Sequence, residues 1–443
     1  MAHDYLVVGA GASGLAFVDS LVDHDPDATV TIVDRRAAPG GHWRDAYPFV
    51  RLHQASVFYG VASTRLGGGE LQTDGPETGL QERATAPEIC AYYDAVLQRL
   101  AGTGRVTFEG GREHAGPPPE GTRVVDAHYL EPEIPATTPP PFAAVDGARV
   151  VPVGELPEAA GSASQYVVVG SGKTATDAIV WLLSGGVDPD AVCWVRPRDP
   201  WMLDRAVVQP DPAAFTGMVA DVVENAAQSE SLDELFLRLE SSGVMLRVDP
   251  SVAPTMARTP TLARWELDLL RSVERVVRLG HVRAVRPGEL ELEQGRVPVA
   301  RDAVVVHCAA SAFPGVPTVP IWGRDAIRLQ PVRSGFPCFA AALAGYVEAT
   351  RDGDEEKNRL CPPSPYGNSL VDWARMTVLG YRASRAFGAE PDIAAWAQDC
   401  LLNPARVAPE DRERPDVRAA QRRVGEHAEA GMNRLAALAG LDG

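Results

Sequence analysis

The sequence has only two lysines, Lys173 and Lys357, no C-x-x-C pair and no apolar run long enough to cross a membrane. Each lack excludes something. A disulfide reductase needs neighbouring thiols, and the six cysteines (Cys90, Cys193, Cys308, Cys338, Cys361 and Cys400) are scattered. Free buried thiols are therefore expected, without disulfides or a metal site. Without an apolar stretch of ~20 residues there is no spanning helix, so no membrane partner is expected. Basic residues are short as well. Lys and Arg total 42 against 59 Asp and Glu, a net charge of −17, which argues against nucleic acid as a partner. Strand-like sequence begins at Asp4, with no leader before it, so a cytoplasmic protein is expected. The lysine shortage reads mainly as genome composition, and it leaves Lys173 conspicuous.

What is present is organised around the first forty-odd residues. Asp4-Tyr5-Leu6-Val7-Val8 reads as a buried strand. Gly9-Ala10-Gly11-Ala12-Ser13-Gly14 follows, then an apolar run to Leu21, then Val30-Thr31-Ile32-Val33-Asp34. This is G-x-G-x-x-G in its full strand–turn–helix–strand setting. Gly9 permits the tight turn, Gly11 lets backbone approach a pyrophosphate, and Gly14 lets the helix pack close. Ser13 stands at the helix start, whose free N–H groups attract phosphate. Asp34, 20 residues after Gly14, is placed to accept from the adenosine ribose, with Arg35 beside it.

A second unit repeats the pattern. Gln165 to Val169 reads as a strand, and Gly170-Ser171-Gly172-Lys173-Thr174-Ala175 runs into an apolar helix. Ala175 takes the third glycine's place and is small enough for helix–strand packing. The strand after it ends in Arg196-Pro197-Arg198 with no acid, which favours a 2′-phosphate and hence NADP. Gly172-Lys173-Thr174 is not a P-loop, because Val167 stands where that loop needs glycine. Two such units, one ending in an acid and one in arginines, suggest FAD in the first and NADPH in the second.

Between them lie a loop rich in aromatics, Pro39 to Gln54, and a proline-rich connector ending near Pro141. Gly41, His42 and Trp43 in that loop are candidate cofactor contacts. Here the chain resembles the class B flavin monooxygenases. Gly9–Gly14, Gly40-Gly41-His42-Trp43, Tyr47-Pro48 with Arg51, and the second glycine loop running into Asp177 carry the resemblance. Asp126-Ala127-His128-Tyr129 followed by Pro132 and Pro135 looks like the family's strand-end segment, with Ala127 matching its alanine. The resemblance covers roughly 1–200 and, faintly, Val304–Gly315. The linker Phe142 to Arg149 departs from the family's F-x-G-x-x-x-H fingerprint. His53 stands where Baeyer–Villiger enzymes have Asp, and Gln54 is nearest to the Asn of simple flavin monooxygenases.

The expected fold is α/β: two Rossmann-like dinucleotide-binding domains with a helical insert and a helical C-terminal region. Residues 1–150 form the FAD domain's first part. Residues 151–300 form the NADPH domain, with an insert at 211–275. Residues 301–443 carry the strand Ala303–His307 back to the first sheet, then the C-terminal helices. The insert's apolar positions read as core packing of a helical cap. Its sharper reading is a lid and substrate pocket using Trp201, Met202, Arg205 and Trp265. Asp325 is a candidate for the late acid that binds the ribityl or pyrophosphate region.

The resemblance implies an FAD- and NADPH-dependent monooxygenase acting through a flavin C4a-(hydro)peroxide on a small organic substrate with O₂. It leaves room for a homodimer. Arg51, His53 and Gln54 are the residues expected to stabilise the oxygen adduct or orient the nicotinamide. Two other readings stand beside it. One is a flavin dehydrogenase or oxidase without oxygen insertion, and the other is a non-catalytic flavin- or nucleotide-bound sensor.

Overall fold

The computed structural model describes residues 3–310, 315–333 and 335–441. Residues 311–314, inside the segment Val304–Gly315 that carries part of the resemblance, lie outside them. Two parallel five-stranded sheets dominate. In the first, Tyr5–Val8 is central, with Val30–Asp34 and then Val106–Gly110 on one side, and Arg123–Asp126 and then Ile327–Arg328 on the other. Such strands are covered on both faces, so they are rich in Val and Ile. Val7, Val30, Ile32, Val125 and Ile327 are all fully buried. Helices Ala12–His24 and Pro337–Thr350 pack together in this unit's core. A Cβ on Gly345 would lie 2.3 Å from the Phe17 carbonyl, so these backbones meet where only glycine fits.

The second sheet repeats the order over four strands and differs in its outer one, Arg149–Pro152, which precedes the central strand in the chain. Tyr166–Val169 is central, with Val192–Val195 and Val276–Val277 on one side, and Val304–His307 and Arg149–Pro152 on the other. Val304–His307 thus pairs in the second sheet, not in the first as its sequence was expected to do. Ile327–Arg328 is the strand that returns to the first sheet. The reason is physical: a short strand of three valines ending in a histidine fits any parallel sheet covered on both faces, and nothing in its side chains selects one.

The β-rich run from Val276 to Arg283 is split. Gly280, at φ +80°, lies between Val276–Val277 and the strand Val282–Arg286. The latter forms an antiparallel meander with Glu289–Leu292 and Gly295–Pro298.

The insert holds the expected helices Pro212–Gln228, Leu232–Ser241 and Arg264–Arg271. It also holds a sheet that helical periodicity hides: Met245–Arg247 and Met256–Leu262 flank Pro200–Asp204. Trp201 stacks on Phe236 in a core that the insert shares with the C-terminal helices, at 5.6 Å between ring centres. The C-terminal helices follow, and the last, Pro415–Leu438, lies on Pro212–Gln228. A Cβ on its Gly431 would meet the Val223 carbonyl at 2.2 Å.

Candidate active site

The first glycine loop separates its glycines by job. Gly9 takes φ +112°, and a Cβ there would lie 2.6 Å from the His128 ring. A Cβ on Gly14 would sit 2.0 Å from the Gly9 carbonyl oxygen, so the helix closes on the turn only without a side chain. Gly11 is under no such pressure; the nearest atom to its Cβ position is the Gly41 Cα, at 3.6 Å. Two backbones therefore face each other across a slot that a side chain would fill. Gly11 caps helix Ala12–His24 without a side-chain hydrogen bond, leaving first-turn N–H groups for an anion.

Asp34 is buried, and its carboxylate accepts from the N–H of Ala10 at 2.7 Å and of Arg36 at 2.8 Å. It thereby ties the second strand's end to the glycine loop. The arginine that lines the cavity is Arg36, held by Asp45 at 2.8 Å. Arg35, the expected contact, points to solvent and pairs with Glu131 at 2.5 Å. Successive residues leave a strand on opposite faces, so only one of the two could enter.

In the second loop Gly170 takes φ +143°, its Cβ position 3.1 Å from the Cys308 carbonyl. Gly172 has nothing within 4 Å of its Cβ position, and Ala175 is fully buried where Gly14 stands in the first unit. Lys173 and Thr174 line the cavity, and the Lys173 ammonium pairs with Asp177 one turn on. Arg196 departs from expectation. It is fully buried, lies 4.2 Å over the Trp194 ring and pairs with Asp199 at 2.8 Å. Arg198 alone of the two lines the cavity; it is exposed and has no ion pair among the described residues.

The loop Gly41–Gln54 crosses from one unit to the other. Its Trp43 indole donates to the Tyr59 hydroxyl at 2.6 Å. The Tyr47 hydroxyl donates to Asp177 at 2.6 Å, and Phe49 stacks on Trp181 at 5.0 Å, both on the second unit's helix. Arg51, His53 and Gln54 then line the cavity. Arg51 donates to the Arg83 carbonyl at 3.2 Å. Gln54 is buried, and its amide has no hydrogen-bond partner among the described residues. Burial, with Arg36 beside it, pushes the His42 ring down to about 4. Burial, with Lys173, Arg205 and Arg83 around it, pushes His53 down to about 3.

All of this opens on one cavity of about 930 Å³. Residues at or just beyond the C-terminal ends of the parallel strands line it: Gly11 and Asp34, Ala127 and His128, Leu329 and Gln330, Gly170, Val195 and Cys308. Open parallel sheets bind ligands there. Residues 7–62 match the family described as NAD(P)-binding Rossmann-like domain. Uncharacterized protein Rv2000 of Mycobacterium tuberculosis (strain H37Rv) is 40% identical over 432 residues, covering 94% of this chain and 80% of that protein. Uncharacterized protein Mb2023 of Mycobacterium bovis matches to the same extent. The chain belongs to their family. Among solved structures, a cyclohexanone monooxygenase variant from Rhodococcus sp. Phi1 bound to NADP+ has the same fold. It is 15% identical with a TM-score of 0.52, over 88% of this chain and 98% of that one. The fold is that of a class B flavin monooxygenase.

Within that fold, some site positions differ from those the sequence suggests. Asp325 is not in the cavity; its side chain is 72% exposed in a turn and pairs with Arg328. The late polar residue that does line it is Gln330, whose amide donates to the Val319 carbonyl at 2.8 Å. Trp201, Met202, Arg205 and Trp265 do not line the cavity, and the insert contributes Pro260. Tyr59, His281 and Tyr366 line it without having stood out in the sequence, and His128, quoted there only within the strand-end segment, lines it too. For His128 and Gln330 the missing signal is their place just after a parallel strand. Among the described residues no group of His, Cys, Asp or Glu could hold a metal, and no helix is long and apolar enough to cross a membrane.

Proposed function

We propose that this protein is an FAD- and NADPH-dependent flavin monooxygenase acting on a small organic molecule. The observation that carries the reading is that both glycine loops open on one cavity, with the loop Gly41–Gln54 crossing between them. A reaction that passes a hydride from one dinucleotide to another needs such a shared space.

The residues fit FAD in the first unit. The facing backbones of Gly11 and Gly41 leave a slot for a pyrophosphate, with the uncapped helix behind it. Asp34 keeps acceptor capacity beyond its two backbone bonds, since a carboxylate has about four lone-pair sites. Gly172, Thr174 and Arg198 would hold NADPH in the second unit, Arg198 as the free charge for a 2′-phosphate. Bound there, the flavin supplies hydride acceptance from NADPH and activation of O₂.

The chain's own residues supply placement. Tyr47 and Phe49 hold the crossing loop to the second unit, so Val50–Gln54 keep a fixed position in the cavity. The Gln54 amide has donors to give to an oxygen in the cavity. His53 is neutral at physiological pH and adds no positive charge there. From the stretch Pro132 to Pro141 the wall takes three prolines, which have no N–H to give, and the carboxylate of Glu133.

The test is direct. FAD released from denatured protein, and NADPH oxidation that a substrate accelerates with less H₂O₂ formed than NADPH consumed, support the reading. H₂O₂ equal to NADPH under every substrate tried moves the assignment to an oxidase. Bound FAD with no NADPH turnover moves it to a sensor.

A further inference from the structure

The insert keeps its large residues out of the cavity, yet it reaches the crossing loop through buried charge. Arg83, Arg205, Glu77 and Glu266 form one network in which every side chain is at most 16% exposed. Arg205 donates to Glu77 at 2.9 Å and to Glu266 at 2.7 Å. Arg83 donates to Glu77 at 3.0 Å and to Glu266 at 3.4 Å. Two guanidinium groups and two carboxylates balance, as buried charges must. Each guanidinium also gives one donor to the crossing loop: Arg83 to the Leu52 carbonyl at 2.9 Å, Arg205 to the His53 carbonyl at 3.1 Å.

A strand irregularity completes the contact. Against Pro200–Asp204, the strand Met256–Leu262 slips between Ala257, opposite Trp201, and Thr261, opposite Leu203. Such bulges re-aim groups beside active sites. Here Pro260 reaches the cavity wall, and Thr261 turns to His53. The Thr261 hydroxyl donates to the His53 carbonyl, and the Thr261 N–H donates to His53 Nδ1 at 3.4 Å. A ring nitrogen that accepts carries no proton, so the neutral ring has its proton on Nε2. Nε2 has no hydrogen-bond partner among the described residues, and His53 lines the cavity.

We infer that Arg205, just before the insert, and Thr261, within it, are positioning residues that fix His53 as a donor from Nε2 at the cavity wall. The charged groups around the ring agree with a neutral imidazole. Lys173, Arg205 and Arg83 face it, with Asp177, Glu266 and Glu77 paired to them. Their positive charges, added to burial, oppose a second ring proton. What the donor does for a bound flavin rests on the reading above. The state of the ring does not, so the two can fail separately.

The experiment reads the ring itself. Histidine labelled with nitrogen-15 in the whole protein gives ring shifts that report tautomer and charge, and His53→Gln identifies the signal. Expected is the Nε2–H tautomer, unchanged from about pH 8 to 5, a range in which an ordinary histidine titrates. The paired replacement Arg205→Met with Glu266→Gln keeps the network's charge balanced while removing the carbonyl donor. It is expected to give mixed tautomers at pH 7. Thr261→Ser keeps both donors and leaves the signal in place. A proton on Nδ1, or a cationic ring at pH 7, in the unmodified protein overturns the inference. So does a His53 signal indifferent to the paired replacement. If that variant does not fold, the tautomer of the unmodified protein decides alone.

Discussion

The two dinucleotide units share the order of four strands, and they differ in the fifth and in what pins the glycine loop. In the first, the acid ending the second strand reaches back, Asp34 accepting from the Ala10 N–H at 2.7 Å. In the second, a strand residue does the work from the other side, the Trp194 indole donating to the Gly170 carbonyl at 2.7 Å. Trp194 also carries Arg196 over its ring, which takes that guanidinium out of the cavity and leaves Arg198 to it. The helix contact differs too. The first unit has no space for a Cβ at Gly14, while the second holds Ala175 fully buried at the matching place. The same pattern can therefore be built tight or slightly open, and each build fixes its own binding residues.

The largest expected effect tests that tightness. Gly14→Ala puts a methyl 2.0 Å from a carbonyl oxygen and forces helix Ala12–His24 off its strand. A cost above about 3 kcal/mol is expected, enough to prevent folding or to lower Tm by roughly 5 °C or more. Ala175→Gly loses only helix propensity and a small contact, about 1 kcal/mol. Thermal unfolding of the two variants measures both, and equal tolerance would remove the distinction between the units.

Next come the middle glycines, where the protein leaves room and a ligand does not. Gly11→Ala and Gly172→Ala should keep the fold, since neither Cβ meets an atom closer than 3.6 Å. Each should weaken only its own cofactor, by about 10- to 100-fold, roughly 1.4 to 2.7 kcal/mol. Titration of released protein with FAD and the KM for NADPH separate the two. A Gly172 variant that loses flavin while keeping NADPH would reverse the assignment of cofactors to units.

A smaller effect sorts the arginines. Arg198→Ala should raise the KM for NADPH about 10-fold and leave that for NADH unchanged. A charged hydrogen bond is worth about 1.5–3 kcal/mol before exposure is discounted. Arg196→Ala should leave both KM values alone and lower stability instead, because it empties the space over Trp194 and takes one partner from Asp199. A KM effect at Arg196 as large as at Arg198 would mean the second strand's end opens in the working protein.

Both glycine loops and most of the order of elements around them are legible in the sequence, because Gly9, Gly14 and Gly170 answer to local steric needs and the middle glycines leave room. What is not legible is which of two neighbouring like residues enters the cavity. Arg35 and Arg36 differ only in the face they leave the strand on, and Arg196 and Arg198 differ by a tryptophan that could be read as core. The strand Val304–His307 shows the same limit at the level of the fold, since its four residues carry no mark of which sheet they join. Asp325 shows it for function. An acid near the last strand attracted the reading, and position just beyond that strand, where Gln330 stands, was the better guide.

The smallest effect is graded with pH, and it too should fall unevenly on the two units. His42 and His53, on the first unit's loop, are pushed down to about 4 and about 3, mainly by burial. The unfolded chain has ordinary rings at about 6.5. Between those values the unfolded state binds protons that the folded state refuses. Their contribution to stability is therefore complete above about pH 6.5 and is lost as pH falls through the window toward 4 and 3. The slope is at most about 1.4 kcal/mol per pH unit for each ring, and water in the open cavity reduces it. His307, in the second unit, is also lowered by burial, while its contact with the Thr138 carbonyl works the other way. Unfolding of the cofactor-free protein from pH 7 to 4.5 should show this slope. His42→Gln with His53→Gln should flatten it more than His307→Gln does. A slope that survives the double replacement intact would place the acid sensitivity in the carboxylate pairs and remove the asymmetry between the units.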